Sequence, residues 1–240
     1  MNWATERGLA NEATFDEFVR TAGGVRVDSL FRTPQFENAD YFFSDDQVVA
    51  ELKILETEFG SQPEFLTKRD ELIRRHVEQN GLRGPFLGQA YPKQFLTEFV
   101  ELYRAPLARI ARKANRQIRE TKKQLGINKS HGILICVNDN FREVEPLLVV
   151  GLLGRILNGA YSSISGFIYV TNHYVHIPGS EHANLLWVPA YSGSAPESLV
   201  SFVDCLGKRW GDFCESRLGL FDSRTETQDR SIVRIARVIK

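Results

Sequence analysis

Three polar residues of this chain, Asp40, Glu51 and Lys53, are spaced so that they can work as one cluster of two acids and an ammonium. Asn38 to Phe43 and Gln47 to Leu55 read as the two strands of a hairpin around Ser44-Asp45-Asp46. With Asp45-Asp46 as a two-residue turn, Phe43 faces Val48, Tyr41 faces Ala50 and Asp40 faces Glu51. Cβ atoms of such facing residues lie about 4.5 to 5.5 Å apart. Two like charges in that position repel, so the pair calls for a compensating cation, and oxygen ligands with few protein contacts suit Mg²⁺ or Mn²⁺. Alternation along the second strand puts Val48, Ala50, Leu52 and Ile54 on an apolar side and Gln47, Val49, Glu51 and Lys53 on the other, which sets the ammonium beside Glu51. The bland alternative is a solvated hairpin face with an incidental Glu-Lys neighbour pair.

The elements around the hairpin follow from periodicity. Leu9 to Arg20 reads as an amphipathic helix stopped by Gly23-Gly24, and Val25 to Leu30 alternates like a short strand. Residues 56 to 92 look like an insertion, with a charged helix from Pro63 to about Gln79 and then a loop rich in Gly and Pro. Lys93 to Leu125 is helical in pattern, with Pro106 as a potential break; Leu107, Ile110, Ala114, Ile118 and Leu125 form its apolar face. Gly132 to Val137 is a wholly apolar run, the pattern of a strand buried on both faces. A helix from about Glu145 to Leu157, strands near 166–171 and 184–188, and a last helix opened by Ser194-Ala195-Pro196-Glu197 complete the reading. Alternating helices and strands predict an α/β class with a central mixed sheet flanked by helices.

Asn38-Ala39-Asp40, ten residues, then Glu51-Leu52-Lys53, after a first helix and before a helix and an apolar strand, resembles the PD-(D/E)xK or restriction-endonuclease-like superfamily. The superfamily's Pro is Ala39 here, and its core of helix, three strands, helix and strand would fall on residues 9 to 140 with the insertion at 56 to 92. Residues 141 to 240 form a C-terminal α/β extension without a counterpart, and the whole is read as one nuclease-like domain over 1–240. The resemblance implies a divalent-metal-dependent phosphodiesterase, an endonuclease acting on DNA. Asp40, Glu51 and the main-chain carbonyl of Leu52 would hold the metal, and Lys53 would orient the attacking water or stabilise charge on the phosphate. Glu17 on the first helix would be the additional acid that some members carry, with Gln117 and Lys113 as further candidates to line the site.

Charge is balanced overall at 30 basic and 30 acidic residues, but residues 104 to 129 hold nine Lys or Arg against Glu120 alone. Arg109, Arg112, Lys113, Arg116 and Lys123 on this stripe are the expected nucleic-acid contacts, with DNA preferred over RNA. Three scattered cysteines argue against a disulfide framework, and the absence of a signal-like run or a long apolar segment predicts a cytoplasmic protein with no membrane partner. A homodimer stays open. His173, His176 and His182 match no zinc module, and Gly151 to Gly159 lacks the ending of a phosphate loop. The competing class is a catalytically silent protein that binds nucleic acid or oligomerises on the same fold.

Overall fold

The computed structural model describes residues 3–31, 36–80, 91–158, 161–229 and 231–240. Asn11 caps helix α1 (Glu12–Thr21) by accepting from the Thr14 amide at 3.0 Å, and Phe15, Phe18 and Val19 form its buried face. Strand β1 covers only Val25–Arg26. The alternation continues to Leu30, but Val27–Leu30 winds into a 3-10 turn in which the Ser29 hydroxyl donates to the Arg26 carbonyl, a local bond that competes with a sheet ladder. Strands β2 (Tyr41–Phe43) and β3 (Val48–Leu55) form the hairpin in the register read from the turn, Phe43 with Val48 and Tyr41 with Ala50.

Helix α2 (Pro63–Asn80) follows. The Gly- and Pro-rich loop expected after it falls at 81–90, outside the described residues. Helix α3 (Lys93–Gln124) runs 32 residues without a break at Pro106. That proline lacks the N–H for one intrahelical bond, but it is buried between Tyr103 and Leu107, and packing along this face holds the helix continuous. Next come β4 (His131–Asn138), α4 (Pro146–Leu157), β5 (Gly166–Thr171), β6 (Val175–His176), β7 (Ala183–Asn184) and β8 (Trp187–Tyr191). The strand expected at 184–188 is therefore two strands in different sheets. Helix α5 (Glu197–Leu218), helix α6 (Ser231–Ile235) and β9 (Arg237–Val238) close the chain. The anticipated Ser194 cap does not form: Pro196 sits at the cap and the Ser194 hydroxyl meets that of Ser192.

The class is α/β, with a mixed six-stranded sheet in the order β1-β2-β3-β4-β5-β8 and a small second sheet β7-β6-β9. In the large sheet β3, β4 and β5 are parallel, and β2 and β8 flank them antiparallel. Residues beyond 140 supply two of its six strands. One apolar layer joins the sheet to α1 and α5, where Phe15 and Phe18 pack on Trp210 with ring centroids 4.6 and 5.0 Å away. The other joins it to α3 and α4 through Leu107, Ala114, Ile118 and Val149. Ile110 and Leu125, assigned to the same face of α3, are only half-buried. No helix among the described residues is long and apolar enough to cross a membrane.

Two-sided coverage changes the character of β3. Its Val48, Ala50 and Leu52 enter the α1/α5 layer as expected, but the side expected to be polar is also covered: Val49 lies under α3 and Glu51 is completely buried. Parallel strands that receive helices on both faces have no solvated side, and Glu51 is placed accordingly.

Candidate metal centre

Strand β2 begins at Tyr41, and Asp40, one residue before it, falls opposite Glu51 when the register is extended. Where another carbonyl would continue the ladder, the Asp40 carboxylate takes over: its Oδ2 accepts from the Leu52 amide at 2.8 Å. The segment that delivers Asp40 is clamped by α3. Thr121 Oγ1 accepts from the Ala39 amide at 2.8 Å, Gln117 Nε2 donates to the Asn38 carbonyl at 2.9 Å, and Arg116 pairs with Glu37. Asp40 is thus positioned by three consecutive anchored residues and one backbone bond of its own.

Glu51 is fully buried beside this carboxylate. Its Oε1 accepts from the Lys53 ammonium, while Oε2 has no hydrogen-bond partner. Burial, reinforced by the Asp40 charge and only partly offset by Lys53, pushes the Glu51 carboxyl up to about 8. The Asp40 carboxyl is also raised, by burial, against the bond from Leu52 and the nearby Lys53. A buried and a half-buried carboxylate that each resist ionisation, with one unsatisfied oxygen on Glu51 and a single ammonium, make an electrostatically incomplete site. A divalent cation would supply what is lacking, and the donors present, hard oxygen ligands on and beside rigid strands, fit one. Among the described residues no three His, Cys, Asp or Glu side chains converge to hold a metal, and the candidate donors are the carboxylates of Asp40 and Glu51 with the Leu52 carbonyl that follows Glu51 in sequence.

The site opens into a cleft of about 280 Å³ lined by Glu12, Asp40, Leu52, Lys53, Ile54 and Glu56. A larger hollow of about 400 Å³, between α4, β8 and α6, has Leu147, Val150, Val188, Ala190 and Val233 for walls. Size does not decide between the two; the coupled acids and the ammonium are all at the smaller one.

Glu17, the helix acid chosen from the sequence, is not in the cleft: it pairs with Arg217 of α5. Five residues along a helix turn the side chain about 140° away, and it is Glu12, in the first turn of α1, that reaches the opening. The Asn11 cap carried that signal, because it fixes which residue begins the helix. Asp16, one turn on, is engaged with Arg26 and with the Tyr41 hydroxyl at 2.8 Å. Gln117 and Lys113 do not line the cleft; Gln117 acts on its entry segment and Lys113 is exposed on the outer side of α3. Thr121 is a positioning residue that periodicity alone did not single out. Arg109, Arg112, Lys113, Arg116 and Lys123 are all exposed, whereas Lys122 is buried and donates to the Ser163 carbonyl at 3.1 Å.

Searches against family models, curated proteins and solved structures give no match in any of the three. The functional reading consequently rests on geometry.

Proposed function

We propose that this cleft is the centre of a divalent-metal-dependent nuclease with a restriction-endonuclease-like core, acting on DNA as an endonuclease. The observation that carries the reading is the buried, partnerless Glu51 Oε2 beside Asp40 and Lys53. Asp40, Glu51 and the Leu52 carbonyl would hold Mg²⁺ or Mn²⁺, which supplies positive charge against the scissile phosphate and acidifies water.

The chain's own groups account for the remainder. The Leu52 amide holds the Asp40 carboxylate in orientation, so that it need not reorganise when a ligand arrives. Lys53 is partly exposed at the cleft, and its ammonium can donate to an attacking water or to a phosphate oxygen as negative charge builds there. Leu52 and Ile54 give the cleft an apolar wall on which competing water finds no partners. That no group of three metal-binding side chains converges among the described residues is the observation that favours a silent, nucleic-acid-binding protein instead.

The test is cleavage of labelled DNA with Mg²⁺ or Mn²⁺, and its absence in chelator. Asp40→Ala or Glu51→Ala should lower the rate by about 10³-fold or more with the fold retained, and Lys53→Ala should cost about 10²-fold while metal binding persists. Equal metal affinity of wild type and Glu51→Ala by calorimetry, with no cleavage of any DNA or RNA, would favour the silent reading.

A further inference from the structure

From 104 to 124, the exposed positions of α3 are seven Lys or Arg together with Ala105 and Gln124. No acid and no aromatic residue stands among them. Arg109, Arg112, Arg116, Arg119 and Lys123 follow one another at intervals of three, four, three and four residues, which aligns them along one line of the helix. At 1.5 Å per residue the line is about 21 Å long, straight and preformed. Arg109, Arg112, Lys113 and Lys123 make no ion pair among the described residues. Arg116 and Arg119 do, with Glu37 and Glu120, but exposed pairs of this kind are weak and yield readily to phosphate.

The cleft cannot attract a polyanion by itself. Its lining sets Glu12, Asp40 and Glu56 against Lys53 alone, so affinity must come from another surface. The ridge is adjacent in the chain's own terms: Arg116 pairs with Glu37, three residues before Asp40, a span of at most about 11 Å.

We infer that α3 binds double-stranded nucleic acid through its phosphates, independently of base sequence, and that this delivers the substrate to the cleft; the inference rests on the nuclease reading of that cleft. A rigid row of cations matches the fixed phosphate spacing of a duplex, whereas single-strand binders add aromatic platforms on which bases stack. Reading of base edges calls on Asn, Gln, Asp or Glu beside Arg, and Gln124 alone is of that kind.

The experiment is equilibrium binding of the full chain, in chelator so that nothing is cut, to labelled 20-base-pair duplexes of two unrelated sequences, a duplex RNA and the corresponding single strand, across a salt series. The two DNA duplexes should bind within about threefold of each other and at least tenfold tighter than the single strand, with a slope of log K against log salt near −4. The duplex RNA arm decides which duplex is preferred; tighter binding of either duplex supports the inference. Arg109→Gln, Arg112→Gln and Lys113→Gln combined should weaken duplex binding at least tenfold and flatten the slope by about 2 to 3, with helical circular dichroism unchanged. Single-strand binding as tight as duplex binding, more than tenfold preference between the sequences, or an unchanged slope in the triple variant would overturn it. Duplex binding without Mg²⁺-dependent cleavage would sink the catalytic reading and spare this one, and cleavage with stripe-independent binding would do the reverse.

Discussion

Two places in the large sheet bury polar side chains, and they do so in opposite ways. At the end of β4, Asn138 is fully buried and fully engaged: its Nδ2 donates to the Phe141 carbonyl at 2.8 Å and to the Tyr169 hydroxyl at 2.9 Å, and its Oδ1 accepts from the Phe141 amide at 2.9 Å. Beside it Asn172 Oδ1 accepts from the Ala10 amide, and His173 Nδ1 faces the Asn138 carbonyl at 3.1 Å while its Nε2, a neutral imidazole nitrogen, has no partner. On the neighbouring strand, in the middle of β3, Glu51 keeps an unsatisfied oxygen next to a like charge. Buried amides with every atom matched tie backbone segments together. A buried carboxylate left unmatched lowers stability and makes sense where a ligand completes it.

The contrast can be broken at Asn138 first, where the largest effect on stability is expected. Asn138→Ala strands the Phe141 amide and carbonyl inside the protein, and a loss of about 3 kcal/mol in urea unfolding should follow. Cleavage per folded molecule should stay at the wild-type level. A stable variant with lost cleavage would assign this network to the site and erase the distinction.

Opposite pH responses sharpen it. The Glu51 carboxyl is raised from an ordinary value near 4.5 to about 8, so its contribution is fully favourable below 4.5. As pH rises toward 8 the unfolded chain releases this proton and the native state keeps it, and stability is lost across that window. Glu51→Gln removes the loss and should stabilise the metal-free protein by about 2 kcal/mol at pH 8 and by nothing at pH 4. His173 moves the other way: burial, with Arg142 and Arg7 nearby, lowers it from 6.5 to about 4. Its contribution is intact above 6.5 and is lost as pH falls toward 4, because only the unfolded chain takes up the proton. Thermal melts of wild type and Glu51→Gln in chelator from pH 4 to 9 read both limbs. Equal melting of the two proteins at pH 8 would mean that Glu51 bears no buried-charge penalty.

What the sequence made legible is local. The hairpin register followed from Asp45-Asp46 and from period-2 alternation, and with it the meeting of Asp40 and Glu51. β4 was visible because a strand between two parallel neighbours must be apolar on both faces. Burial of Glu51 was not legible, since it depends on α3 crossing a face of β3 that the alternation marks as polar. Glu12 was passed over for Glu17 because all the polar residues of α1 look alike until the helix start fixes its rotation. The division of 184–188 between two sheets depends on tertiary pairing of β6 with β9, over 60 residues further along the chain.

The smallest effect is expected at Thr121, where structure and site overlap. Its hydroxyl is the acceptor for the Ala39 amide, and the residue is wholly buried. Thr121→Val keeps the shape and deletes the acceptor, leaving a buried N–H unpaired at a cost of about 1 kcal/mol. If that bond only stabilised the fold, cleavage at saturating Mg²⁺ would not change. Because Ala39 immediately precedes Asp40, loosening it should disturb the carboxylate held by the Leu52 amide. The expected outcome is a loss of about tenfold in cleavage rate and a higher Mg²⁺ requirement, out of proportion to the stability change. Thr121→Ser, which restores the acceptor without the methyl group, should recover most of the rate even though it leaves a small void. Full activity in the valine variant would mean that the Leu52 bond, with the α3 anchors left at Asn38 and Glu37, suffices to position Asp40.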